Sequence, residues 1–142
     1  KMDLPVTGEK IWELIPQRPP FVMVHALIAV NETSGETTFH VPENNVFVEN
    51  GLFTEPGLIE NVAQSAAAMT GFSAISSGQQ PKKGFIAALK NLKIYKLPKS
   101  GQTLHTQITI TDHVLDFTLI SGKIYDENDN FAECEMKIFI NN

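Results

Sequence analysis

The stretch that most constrains this chain runs from Asn50 to Phe72, NGLFTEPGLIENVAQSAAAMTGF. Pro56 suits the first turn of a helix, where its missing N–H would have had no partner. Ile59, Val62, Ala63, Ala66 and Met69 recur at i, i+3, i+4 spacing and mark one apolar face. Glu60 and Gln64, one helical turn apart, share the flank of that face. The pattern predicts a helix from Pro56 to about Ile75, closed by the polar run from Ser76 to Pro81. So alanine-rich a helix can be approached closely, and the few polar groups expected inside it need a partner or a task.

The remainder reads as strands. Ile11, Trp12, Leu14 and Ile15 fit one or two helical turns after Thr7 or Gly8, ended by Pro16, Pro19 and Pro20. Phe21 to Val30 is nearly all apolar and predicts a strand buried on both faces. Thr37, Phe39 and Val41 alternate with Thr38 and His40 and predict its antiparallel return. Beyond the helix come Phe85–Tyr95, Leu104–Thr111 and a strand with Leu115, Phe117 and Leu119 on its apolar face. The last strand sets Ala132, Cys134, Met136, Ile138 and Ile140 against Glu133, Glu135 and Lys137. The order β-β-α-β-β-β-β is α+β. One arrangement buries all of it: a curved antiparallel sheet of about six strands wrapped around one long central helix, the hotdog fold. A single hotdog domain over residues 1–142 is expected. The outermost strand and the helix start are left for a partner to cover, so a dimer is expected.

A net charge of −5 argues against a nucleic-acid partner. Lys82, Lys83, Lys90, Lys93, Lys96 and Lys99 nevertheless cluster, either as a solvated strand edge or as a docking surface for an acidic partner. With Cys134 as the one cysteine no internal disulfide is possible, and a buried structural thiol is expected. No apolar run approaches the roughly 20 residues of a membrane span. No signal peptide is visible, and a cytoplasmic location is expected. No His/Cys/Asp cluster has metal-ligand spacing and there is no glycine-rich phosphate loop, so no metal or bound cofactor is expected.

Three motifs in order carry a resemblance. Leu14 to Phe21, LIPQRPPF, is similar to an "LPHRPPF" segment; Gly57 to Gln64, GLIENVAQ, to "G-(V/L)-x-x-E-x-(M/V)-A-Q"; and Pro98 to Leu104, PKSGQTL, to "P-x-x-G-x-x-L". Together they resemble the hotdog-fold 3-hydroxyacyl-acyl-carrier-protein dehydratases over nearly the full length. The short approach from Asn50 to Glu60 looks most like the divergent branch associated with aryl-polyene pathways. The resemblance implies dehydration of a 3-hydroxyacyl thioester carried on the phosphopantetheine of an acyl carrier protein. It implies Glu60 as the helix acid, Gln64 as the amide that binds it, and a backbone N–H of Gly57 or Leu58 as donor to the thioester oxygen.

The family's loop histidine is missing. Nothing between Pro42 and Glu55 is a histidine, and the "LPH" position holds Gln17, which cannot serve as a base near neutral pH. Among the remaining histidines, His105 and His113 are expected at the surface and His40 on the polar face of its strand. His25, inside an apolar run, is either a satisfied core histidine or the substitute second group. Asn50 could hold a substrate hydroxyl or a water. Phe53, Leu58, Phe85 and Ala87 are expected to line an apolar tunnel, with Lys82, Lys83, Lys90 or Lys93 at its entrance. Glu60 itself could be only a partner of the helix dipole. Three functions stay open. The first is a dehydratase using Glu60 with His25 or, second to it, His40. The second is a non-catalytic subunit that binds acyl chains, or one that pairs with a catalytic hotdog relative in a heterodimer rather than a homodimer. The third is a thioesterase.

Overall fold

The computed structural model describes residues 2–140. Strand β1 (Val6–Thr7) leads into a 3₁₀ turn (Gly8–Glu13), then β2 (Ala26–Val30) and β3 (Ser34–His40). A small hairpin, β4 (Val48–Glu49) and β5 (Leu52–Phe53), precedes helix α1 (Glu55–Ser76). Four long strands follow: β6 (Gly84–Ile94), β7 (Thr103–Val114), β8 (Phe117–Tyr125) and β9 (Asn130–Ile140). The main sheet has seven strands in the order β1-β2-β3-β7-β8-β9-β6, every pairing antiparallel. Its concave face wraps α1, which is the hotdog arrangement.

The helix spans almost the expected residues. Pro56 sits in its first turn, and Gly78 at φ 75° closes it: the Gly78 N–H donates to Ile75 and the Gln79 N–H to Ala74, a Schellman ending. The buried face differs from the expected one. Leu58, Val62, Ala66 and Met69 face the core with three polar residues, Asn61, Gln64 and Ser65, each fully buried. Ile59 and Ala63 are only half-buried. The polar residues are satisfied. Thr106 Oγ1 donates to Asn61 Oδ1 at 2.5 Å, Ser65 Oγ to the Asn61 carbonyl at 2.7 Å, and Thr37 Oγ1 lies 2.6 Å from Ser65 Oγ.

Small residues set how closely the layers approach. A Cβ on Gly122 of β8 would lie 2.6 Å from Val62 Cγ1, and one on Gly71 would lie 2.6 Å from the Leu14 carbonyl oxygen. The main core packs Phe39, Phe53, Leu104, Ile108, Ile124 and Phe131 around α1; a second cluster holds Val6, Ile11, Leu14, Val24, Leu27 and Ala68 under the N-terminal segment.

Two strand expectations are corrected. Phe21 to Val24 does not join the sheet, the His25 N–H donates to the Thr38 carbonyl of β3, and only Leu27 of β2 is fully buried. In β8 the buried face is Thr118, Ile120, Gly122 and Ile124, the reverse of the expected one. Leu115 lies outside the strand, 93% exposed, at φ 57° in the turn. Cys134 is buried as expected; burial first, then the Glu133 and Glu135 charges, push its thiol up to about 11.

Gly71→Ala is expected to destabilise the fold. The new methyl meets backbone rather than a side chain that could swing aside, and overpacking of this kind costs about 1–3 kcal/mol, more than the roughly 1 kcal/mol alanine gains in helix propensity. Urea unfolding of the variant against wild type checks it; unchanged stability would show that α1 and the Leu14 segment slide apart freely.

Candidate active site

The site begins with a backbone that has left the sheet. Residues 21–23 cannot satisfy their polar groups in a ladder, so side-chain amides of α1 do it. Gln64 Oε1 accepts from the Met23 N–H at 2.7 Å and Gln64 Nε2 donates to the Phe21 carbonyl at 2.8 Å. Asn61 Nδ2 donates to the Met23 carbonyl at 2.8 Å. The two amides imitate a neighbouring strand.

Gln64 also reaches Glu60. Its Nε2 donates to Glu60 Oε1 at 3.1 Å, and Gln17 Nε2 makes a longer contact of 3.5 Å with the same oxygen. Both donors meet one carboxylate oxygen, and Oε2 has no protein partner among the described residues. Gln17 is brought there by Arg18, whose guanidinium donates to the Ile15 and Gln17 carbonyls and fixes the turn. The Gln17 Oε1 atom is buried with no hydrogen-bond partner among the described residues.

Glu60 and Gln17 lie on a cavity of about 250 Å³ between α1 and the strands β6, β8 and β9. Its walls are mainly apolar: Ala63, Ala66, Ile86, Ile120, Ile138 and Ile140. Lys82 and Thr118 also reach it, and Glu60 is its only carboxylate among the described residues. A polar pair at one side of a narrow apolar slot suits an acyl chain with its reacting carbons beside the carboxylate.

The other expected site residues fall elsewhere within the chain. Asn50 and Gly51, at φ 52° and 76°, form the left-handed turn of the β4–β5 hairpin, which accounts for both residue types. Phe53 is fully buried in the main core, 5.7 Å from the Phe39 ring, and its ring occupies the space a Cβ on Gly57 would need. Leu58 is buried beside it. The Gly57 and Leu58 N–H groups, expected to offer a donor to a thioester oxygen, both donate to the Thr54 carbonyl. Phe85 and Ala87 are exposed on β6, an edge strand of the sheet. The cavity beside Glu60 is lined by none of Phe53, Leu58, Phe85 or Ala87; isoleucines of β6, β8 and β9 take that place.

His25 lies on a different cavity, with Trp12, Pro20, Val24 and Phe39. The residue is exposed overall, yet its ring packs 4.7 Å from that of Phe39 and its Nδ1 accepts the His40 N–H at 3.0 Å. That bond requires a lone pair on Nδ1 and puts the proton of the neutral ring on Nε2. Burial of the ring first, then the nearby His40, lower its pKa. Both nitrogens are thus committed, and the ring has no free lone pair to serve as a base in this arrangement. His40 contacts Thr103 Oγ1 at 3.0 Å, and His105 stacks on Tyr125 and lies 3.4 Å from Glu36.

His113 is exposed, as expected, but its place in the ladder is not the one simple alternation gives. A bulge at Thr111 shifts the β7–β8 register between Ile110 and Asp112, and His113 then pairs with Thr118. Its Nδ1 comes within 3.3 Å of Thr118 Oγ1, a group on the wall of the Glu60 cavity. The strand alternation around His113 carries no sign of the bulge. Gln17 was identifiable only as a residue that is not histidine.

Comparison with known proteins bears on the family and the fold. A family profile described as ApeP-like, ApeP dehydratase, matches residues 9–142. A 3-hydroxyacyl-[acyl-carrier-protein] dehydratase FabZ of Rickettsia bellii is 27% identical over 141 residues, covering 92% of this chain and 93% of the relative. Among solved structures, the dehydratase heterocomplex ApeI:P from Xenorhabdus doucetiae superposes with a TM-score of 0.87 at 16% identity, covering 99% of this chain and 93% of that one. A hypothetical thioesterase protein with coenzyme A from Streptococcus pneumoniae has the same fold, with a TM-score of 0.63 at 15% identity and coverage of 81% and 84%.

Replacing Gln64 by leucine should leave the Met23 N–H and the Phe21 carbonyl unpaired in the interior. At about 1–3 kcal/mol for each of the two stranded groups, a loss of roughly 2–6 kcal/mol is expected in urea unfolding. A loss below about 0.5 kcal/mol would mean that water takes over both bonds. His25 gives a pH dependence whose sign follows from its lowered pKa. As pH falls through the ordinary value of 6.5 the unfolded chain takes up the proton first, so folded stability declines from there down to the lowered value and is unaffected above it. Denaturation of wild type and His25→Gln across that window checks this: the difference between them should shrink on acidification, and a constant difference refutes it.

Proposed function

The chain belongs to the ApeP-like dehydratase family, and from that premise we propose that it is a hotdog dehydratase subunit acting on 3-hydroxyacyl thioesters carried on the phosphopantetheine arm of an acyl carrier protein, in fatty-acid or polyene-type lipid biosynthesis. The observation that carries this reading is Glu60, which among the described residues is the one carboxylate on an otherwise mainly apolar cavity and is held through Oε1 with Oε2 unpaired. In the reaction the C2–H and C3–O bonds break, the C2=C3 bond forms, and the hydroxyl leaves as water. A group must take the C2 proton and a group must protonate the departing hydroxyl. Glu60 is the proton-transferring group of this chain. Gln64 holds its carboxyl and fixes which oxygen faces the substrate.

The second group comes from a second hotdog subunit across the seam. Two observations support this. No histidine lines the Glu60 cavity among the described residues. The β6 edge beside it exposes Phe85 (54%) and Ile86 (41%), more apolar surface than an uncovered edge strand tolerates. Lys83, Lys90 and Lys93, exposed on or just before β6, are suited to the acidic surface and phosphate of a carrier protein. A catalytic relative as partner gives a heterodimer; a second copy gives a homodimer. Thioester hydrolysis ranks below both.

Glu60→Gln, which keeps the shape and the contact to Gln64, is expected to lower dehydration by about 10²–10⁴-fold in whichever assembly is active. The assay follows enoyl product from a 3-hydroxyacyl carrier protein. Turnover within a factor of two of wild type removes Glu60 from the chemistry. Run on the chain alone and on mixtures with a histidine-bearing hotdog relative, the same assay decides the partner: activity that appears only on mixing is expected, and full activity of the chain alone overturns the two-protein site.

A further inference from the structure

We propose that Gln17 is a substrate-orienting residue that accepts a hydrogen bond from the 3-hydroxyl of the acyl chain. The inference rests on the acyl-thioester reading above and deepens it. The Gln17 Oε1 atom is buried and has no hydrogen-bond partner among the described residues, while its Nε2 lies 3.5 Å from Glu60 Oε1. A buried acceptor left bare is costly unless something that binds there supplies a donor. The amide cannot be turned round to relieve it. Turning would aim Oε1 at the Glu60 carboxylate, acceptor against acceptor, and would leave a buried NH₂ group without a partner instead.

Gln17 and Glu60 both line the acyl cavity. A 3-hydroxyacyl chain carries a single hydrogen-bond donor near its reacting carbons, the 3-hydroxyl. A saturated chain and the enoyl product have none there. A hydroxyl donating to Gln17 Oε1 is held beside the Glu60 carboxyl that exchanges protons with it, and the released water is the only product that can keep the bond. Gln17 therefore discriminates for the hydroxyl at the substrate's third carbon and against the product. The side chain that takes the histidine position of the motif is given a task that needs an acceptor and no titration.

The test compares two pantetheine amides, 3-hydroxyoctanoyl and octanoyl. In an amide the C2 proton is too weakly acidic for elimination, so both are unreactive probes. Binding is measured calorimetrically on the full chain, with and without a histidine-bearing hotdog relative. In wild type the hydroxy amide should bind about tenfold more tightly, one hydrogen bond to an otherwise bare acceptor. In Gln17→Leu and in Gln17→Met that ratio should fall to about one while octanoyl amide still binds, which also shows that the cavity is folded. A purely structural Gln17 would weaken both amides together and leave the ratio intact, and that result overturns the inference. So does a ratio near one in wild type, which leaves the acyl-site reading standing. Failure of both amides to bind wild type in either assembly removes that reading and this inference with it.

Discussion

The structure around Glu60 depends on two buried amides. Asn61 and Gln64 take over the backbone groups of Phe21 and Met23 that a neighbouring strand would otherwise have met. The cost of burying two carboxamides inside a helix face is offset because each is saturated by fixed partners. The consequence is positional. A chain released from the sheet at Phe21 can lie against α1 instead of beside β3, and its preceding turn then delivers Gln17 to the carboxylate one helical turn before Gln64. Structure and site share the same atoms: Gln64 Nε2 bonds both the Phe21 carbonyl and Glu60. A change that loosens the N-terminal segment also loosens the carboxyl.

Small residues make that arrangement possible from the other side. Gly122 lets β8 approach Val62, and Gly71 lets the Leu14 carbonyl rest on the helix. Gly57 leaves room for the Phe53 ring in the same way. The alanines at 63, 66 and 67 face the cavity, where longer side chains would fill the slot. The helix is therefore small-residue for two reasons that coincide: close packing in the core, and open volume beside Glu60.

Much of this was legible in the sequence, and the parts that were not share a cause. The helix, the hotdog arrangement and the alternation of β9 follow from periodicity, which local residues determine. Glu60 beside Gln64 follows from helical spacing. Phe21 to Met23 reads as strand because composition reports burial and not which partner satisfies the backbone; here helix side chains do. The face of β8 was misjudged because Leu115 and Phe117 outweighed Ile120 and Ile124, while Leu115 sits in a turn that removes it from the alternation. The bulge at Thr111 changes the place of His113 in the ladder, and a one-residue insertion in a ladder has no signature in composition. Asn50 drew a functional reading from its place in the loop, where Asn-Gly is explained by the backbone of a two-residue turn. The remaining expectations about Phe85 and Ala87 concern a surface that a single chain leaves open.

That open surface and the site are not independent. Gly84 and Ile86 of the β6 edge are also walls of the Glu60 cavity. A subunit that pairs with β6 would cover the apolar edge and, in the same step, wall the slot beside Glu60. Shedding water from an edge strand and shedding water from a carboxylate's surroundings then become one event. On the proposed reading, the acid in such a seam would be poorly screened only with the partner in place, which would tie proton transfer at Glu60 to assembly. On that reading, a chain whose described residues put one carboxylate and no histidine on the cavity has little to gain from closing that seam on water. It has much to gain from closing it on a subunit whose own loop supplies the missing group.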